Sequence, residues 1–175
     1  NGGLLGLAVE GHERFWNIVG RDIPSTIREN WIYANSTHTI DLLRFFGGEI
    51  KSISSLSNSL KETNGDQFVA SMKFESGALG TYSSHWYSPG GWSATLYGEG
   101  ITVKFNPLEK GIWIGPDLNE HEINPDEVDI KYKPGFYRQV EAFVKMVRNG
   151  CLEPPGMNLE KALKTMELAK IFANT

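Results

Sequence analysis

The 175-residue sequence predicts an α+β domain built on an open, largely antiparallel or mixed sheet with helices on one face. Three observations carry that expectation. The middle of the chain is a series of short apolar-alternating segments separated by glycine-rich turns, the signature of a meander. Helical spacing precedes that series at residues 38–46 and follows it at 136–149 and 158–173. The order is therefore strand, helices, sheet, helices, with no internal repeat, and it segregates helices from strands.

Residues 4–9 are a short apolar run and read as a buried strand, ended by the polar stretch 10–14. Residues 15–19 open a helix with Phe15, Ile18 and Val19 on one side, punctuated by Gly20 and Pro24. Asn35-Ser36-Thr37 offers three N-cap side chains before a helix at 38–46, where Ile40, Leu43 and Phe46 form a stripe. Gly47-Gly48 ends that helix. Phe68, Ala70, Met72 and Phe74 alternate as a half-buried strand requires, and Glu75-Ser76-Gly77 turns the chain. Strands follow at 78–87, 92–97, 101–105 and 112–114, separated by Ser88-Pro89-Gly90-Gly91, Gly98-Glu99-Gly100 and Lys110-Gly111. Residues 117–134 are polar and read as loop or edge. The helix at 136–149 carries Phe136, Val140, Phe143, Val144 and Val147 on one stripe. Asn158 caps the last helix, whose expected buried side is Leu159, Leu163, Met166, Ala169 and Phe172. Alternation should place some of Trp92, Tyr97, Phe105 and Trp113 on the face without helices, so self-association through that face is expected.

Composition narrows the function. Lys+Arg is 17 against 21 Asp+Glu, a net charge of −4, which argues against nucleic acid as a partner. No apolar stretch approaches the roughly 20 residues of a membrane span, and no basic-then-apolar leader opens the chain, so a cytoplasmic protein without membrane contact is expected. The single cysteine, Cys151, excludes an internal disulfide framework and a thiolate-rich metal site. No glycine fingerprint follows a strand, and there is no phosphate-binding loop, no His-x-x-x-His and no Gly-x-Ser-x-Gly, so no metal site is expected either.

His38 is the best single candidate for chemistry. It sits in the first turn of an expected helix, where N–H dipoles disfavour the imidazolium and leave a neutral ring able to accept a hydroxyl proton. Asp41 follows at i+3 and can orient that ring. The alternative is a helix-start histidine bonded to backbone. Tyr82 and Trp86 share one strand face, with His85 and Tyr87 on the other. Aromatic rings beside hydroxyls suit sugar faces and also suit ordinary sheet packing. His12 and Arg14 lie just past the first strand, where ligand contacts are common in α/β proteins and where solvated turns are equally at home.

Asn35-Ser36-Thr37-His38-Thr39-Ile40-Asp41, continuing to Gly47-Gly48, resembles the His-x-x-Asp…Gly segment of the glucose-fructose oxidoreductase/inositol dehydrogenase/rhizopine-catabolism (Gfo/Idh/MocA) family. Gly11-His12-Glu13-Arg14-Phe15 is similar to its Asn-x-Arg-Phe turn. Residues 69–80 look like its strand–Gly–strand hairpin, Leu96-Tyr97-Gly98-Glu99-Gly100-Ile101 its Gly-x-x-Gly turn, and residues 136–143 with 158–173 its closing helix pair. The resemblance implies a dihydrodipicolinate-reductase-like C-terminal domain for residues 16–175, used for substrate binding and oligomerisation. It makes residues 1–15 the last strand and turn of an N-terminal Rossmann domain. It further implies NAD or NADP in the full-length protein with none bound by this part alone, and hydride transfer at a sugar, polyol or sugar-nucleotide hydroxyl. His38 would be catalytic, with Asn35, Asp41, Arg14, His12, Tyr82 and Trp86 contacting substrate and the protein a homodimer or homotetramer. One departure stands out. Ala34 occupies the position four residues before the histidine where many members carry Asp, and alanine cannot titrate. A non-catalytic ligand-binding or scaffold module of the same fold is therefore the competing expectation. An unrelated α+β hydrolase using His38 and Asp41 is a weaker one.

Overall fold

The computed structural model describes residues 3–174. In chain order the elements are β1 (Leu4–Gly11), α1 (Trp16–Val19), α2 (Ser25–Glu29), a π-helical turn (Ile32–Ser36), α3 (Thr37–Gly47) and β2 (Ile50–Asn58). Then come β3 (Gln67–Phe74), β4 (Leu79–His85), β5 (Trp92–Gly98), β6 (Ile101–Phe105), β7 (Gly111–Ile114) and β8 (Glu120–Ile123). Helices α4 (Glu127–Lys131), α5 (Phe136–Asn149) and α6 (Leu159–Ala173) close the chain.

All eight strands form one sheet in the order β2-β3-β4-β1-β5-β6-β7-β8. Every neighbouring pair is antiparallel except β1 with β4, which is parallel, so the sheet is mixed. This corrects the boundary expected at residue 15. β1 lies in the middle of the sheet, with Leu7 opposite Gly80 on one side and Leu96 on the other, and is integral to the domain.

One sheet face carries the core. Leu7, Val9, Phe68, Ala70, Met72, Phe74, Tyr82 and Ala94 point to it and are buried under α3 and α6 through Ile40, Leu43, Leu168, Ala169 and Phe172. Close approach of α3 depends on Gly11. A Cβ there would lie 2.7 Å from both Thr39 Oγ1 and Tyr82 Oη. The opposite face is open, and Leu56, Val69, Leu79 and Tyr97 are exposed among serines and threonines. Of the four large aromatics, one reaches the open face, as the expectation that some of them would requires. Trp92, Phe105 and Trp113 fall in register with Gly11, Ala94 and Val103 on the helix-bearing face, and only Tyr97 of the four points outward. Phe46 of α3 stacks on Phe105, at 6.4 Å between centroids.

A polar knot ties α3 to α6. Thr165 Oγ1 donates to Asp41 Oδ1 at 2.6 Å, and Arg44 donates to the Lys161 carbonyl at 2.8 Å, to Thr165 at 3.0 Å and to Glu49 at 2.9 Å. That knot rotates α6 from the expected side. Thr165, Leu168, Ala169 and Phe172 face the core, whereas Leu159, Leu163 and Met166 are exposed. β8 runs within the segment read as loop or edge, with His121 stacked on Trp113 at 4.1 Å. The apolar stripe of α5 forms as expected and is uncovered among the described residues. None of the described helices is long and apolar enough to cross a membrane.

Candidate functional site

Asn35-Ser36-Thr37 does not start a helix. The chain is already helical from Trp31 through the π-helical turn into α3, and Ser36 has helical φ/ψ of −65° and −16° with no cap bond. His38 therefore sits inside a continuous helical run, and the expected influence of a free helix start on its ring is withdrawn. The wide turn rotates Asn35 and Ser36 toward β1 instead. There both donate to one buried carboxylate: Asn35 Nδ2 to Glu13 Oε2 and Ser36 Oγ to Glu13 Oε1, each at 2.6 Å. Both Glu13 oxygens are thus occupied, as a buried carboxylate requires.

Glu13 is followed by Arg14, whose φ of 52° places a non-glycine residue in the left-handed region. Its neighbours enforce this. Glu13 is held by the two α3-side donors. On the other side, the Phe15 N–H donates to the Trp86 carbonyl at 2.7 Å, and the Phe15 ring is buried among Trp31, Trp86 and Tyr87. Two pinned neighbours leave Arg14 turned outward.

His12, Glu13, Arg14, Trp31, Asn35 and Trp92 line an open groove of about 610 Å³, completed by Arg21 and by the turn from Asn106 to Glu109. The His85 backbone N–H donates to His12 Nδ1 at 3.1 Å, so the neutral ring keeps its proton on Nε2 and presents a donor there. The two imidazoles stack at 5.7 Å. His38 is exposed, with its ring 5.8 Å from that of Trp92, one of the groove's lining residues, but it does not itself line the groove. An aromatic wall, an amide, an imidazole and guanidinium groups suit a hydroxylated ligand: rings cover its apolar faces and polar groups reach its hydroxyls.

The structure thus places His12, Arg14 and Asn35 along one groove, with His38 adjoining it only through Trp92. It does not bring in the other three. Asp41 points away from His38 into the knot with Thr165 and Arg44, so it orients a helix pair and not the imidazole. Tyr82 is 1% exposed, stacked on Phe172 and hydrogen-bonded to Thr39 Oγ1 at 3.1 Å. Burial holds its phenol well above the usual tyrosine range. Trp86 is 2% exposed, between Phe15 and Phe68. Neither ring has a face to offer a sugar. Glu13, Trp31 and Arg21 were not singled out from the sequence. Glu13 pairs with residues 22 and 23 positions away, which no local pattern reveals. Among the described residues, no three His, Cys, Asp or Glu side chains gather as a metal site.

The model of the GFO/IDH/MocA C-terminal domain matches residues 16–104, just over half of the chain. No curated protein matches the sequence. Among solved structures the chain is similar to UDP-N-acetylglucosamine 3-dehydrogenase GnnA from Acidithiobacillus ferrooxidans, at 12% identity and a TM-score of 0.76, over 97% of this chain and 52% of that one. It is similar to levoglucosan dehydrogenase in complex with NADH, at 11% identity and a TM-score of 0.76, over 97% of this chain and 55% of that one. It is also similar to a dehydrogenase (MviM) from Clostridium difficile, at 16% identity and a TM-score of 0.76, over 99% of this chain and 55% of that one. These likenesses establish the fold, and the chain spans about half the length of these relatives.

Proposed function

The chain belongs to the Gfo/Idh/MocA family through its C-terminal domain, and from that premise we propose that it is the substrate-binding and self-associating part of a cytoplasmic NAD(P)-dependent oxidoreductase acting on a sugar, polyol or sugar-nucleotide hydroxyl. The observation that carries this reading is the exposed His38 against Trp92, a residue that lines an open groove with His12, Arg14 and Asn35. The names of two similar structures, one for a sugar nucleotide and one for levoglucosan, support it.

Among the described residues, no glycine-rich turn leads from a parallel strand into a helix. The cofactor belongs to a Rossmann domain preceding these residues. What they supply is proton handling and positioning. The His38 imidazole takes the hydroxyl proton in oxidation and returns it in reduction. The Asn35 amide, fixed by Glu13, aligns the hydroxyl without moving its proton. Ala34 provides no second acid, so His38 works alone.

Replacing His38 by alanine in the full-length protein should lower turnover about 10²–10⁴-fold in a nicotinamide absorbance assay over a panel of sugars. An unchanged rate removes His38 from the mechanism. Ala34 favours a second reading, a ligand-binding module without redox turnover. Saturable sugar binding with no nicotinamide absorbance change for any substrate would establish that alternative. The homodimer or homotetramer forms through the open sheet face, where Val69 and Leu56 are exposed cross-strand neighbours. A charge inserted by Val69→Asp should shift light-scattering mass to the monomer, and an unchanged mass places the interface elsewhere.

A further inference from the structure

Two guanidinium groups in the groove have no anion. Arg14 makes no hydrogen bond and no ion pair among the described residues. Arg21 is anchored only by its Nε, which donates to the Asn17 carbonyl at 2.9 Å and leaves its terminal nitrogens free. Glu13, next to Arg14 in sequence, is already satisfied by Asn35 and Ser36, and Asp22, next to Arg21, forms no ion pair with it. Glu109, on the facing wall, is within ion-pair distance of neither arginine. The backbone adds an independent observation. Position 14 is left-handed, where glycine is the low-cost residue, yet an arginine occupies it and is turned outward between two buried neighbours. Packing does not explain this choice, because the side chain is exposed.

We propose that the groove takes a sugar bearing an oxyanion, a carboxylate or a phosphate, and that Arg14, aided by Arg21, is the residue that selects for it. Guanidinium suits this role because it is always charged and matches both oxyanions with paired N–H groups. Trp31 and Trp92 would then flank the uncharged part of the ligand, with the anion at the Arg14 side and the reacting hydroxyl at the His38 side. This inference rests on the substrate-binding reading given above and narrows its substrate class.

The test is calorimetric binding to the full-length protein. The probes are UDP-N-acetylglucosamine for the phosphate arm, glucuronate for the carboxylate arm, and N-acetylglucosamine and glucose as their neutral counterparts. At least one charged probe should bind tenfold or more tightly than its counterpart, and its affinity should fall as salt rises. The arm that shows the preference identifies the oxyanion. Arg14→Gly should abolish the preference while the Tm stays at or above that of the parent, since glycine relaxes the left-handed position. Arg21→Ala should reduce it in part. Equal affinity for charged and neutral probes overturns the proposal while leaving the substrate-binding reading intact, provided some sugar binds. No binding of any sugar removes both. If Arg14→Gly weakens NADPH or NADH and spares the sugars, the guanidinium serves the dinucleotide phosphate and the proposal falls.

Discussion

Glu13→Ala removes the single acceptor that organises the groove corner. In the native protein its carboxylate takes two hydrogen bonds of 2.6 Å, one from a fully buried hydroxyl and one from a half-buried amide. Hydrogen bonds to a charged group contribute about 1.5–3 kcal/mol each, and a stranded buried donor costs about 1–3 kcal/mol. Asn35 borders the groove and can be rehydrated, so its share falls at the low end. Ser36 is sealed and its share does not. The expected loss is about 2–4 kcal/mol, read by urea unfolding with the slope unchanged. Ser36→Ala removes one donor and should cost about 1 kcal/mol by itself. Because the two residues share one bond, the double variant should be less destabilised than the sum, with a coupling of about 1 kcal/mol. Glu13→Gln keeps one acceptor oxygen and should fall between. A loss below about 0.5 kcal/mol for Glu13→Ala, or strict additivity with Ser36→Ala, would refute the idea that this carboxylate holds the corner together.

Two further perturbations address residues that the structure moves out of the site. Tyr82→Phe should lower stability by about 1 kcal/mol through loss of the bond to Thr39 and leave sugar affinity unchanged, checked by thermal unfolding and calorimetry. A selective loss of affinity would return Tyr82 to the groove. Glu49→Gln tests the α3–α6 tie. Hydrogen bonds first from Arg44 and then from Lys164 hold the Glu49 carboxyl below its ordinary 4.5. A depressed folded value means the contribution is present above the ordinary value and is lost as pH falls through the folded one. Since Glu49 is largely exposed, wild type should exceed the variant by only about 0.5 kcal/mol at neutral pH. The gap should close in acid and narrow with salt. A gap that persists in acid would show that packing, not charge, is responsible.

Strands whose side chains alternate between oil and water were legible. Phe68, Ala70, Met72 and Phe74 identified β3, and the glycine turns delimited β4 to β7. β2 was not, because its inward positions alternate Ile53 with Ser55 and Ser57, too small to show a stripe without β3 and α6 beside them. The last helix was found, but its buried side was set by Thr165, a polar residue recruited by Asp41 and Arg44 from another helix. Residue identities also could not say which strand pairs with which, so β1 was assigned to the wrong domain. His12, Arg14 and Asn35 were singled out by residue type and position and fall along one groove, whereas His38 was singled out by a helix start that the structure does not have. Glu13 was not, since its partners arrive only through tertiary folding. Tyr82 and Trp86 carried the same residue types as a sugar platform and proved to be core.

The central place of β1 has a consequence for how the molecule assembles. Its two partners begin at Leu79 and Trp92, so the first of these eight strands waits for β4 before it gains a ladder bond there and for β5 before both its sides are paired. Until then β2 to β4 and β5 to β8 are two separate antiparallel stacks, each able to zip locally. Their union through an early, apolar strand is a long-range closure of the kind that slows folding. During that interval the unpaired edges of β4 and β5 and the Leu-rich β1 are exposed together, which makes this junction the point where a chaperone, or a neighbouring nascent chain, would compete for the fold.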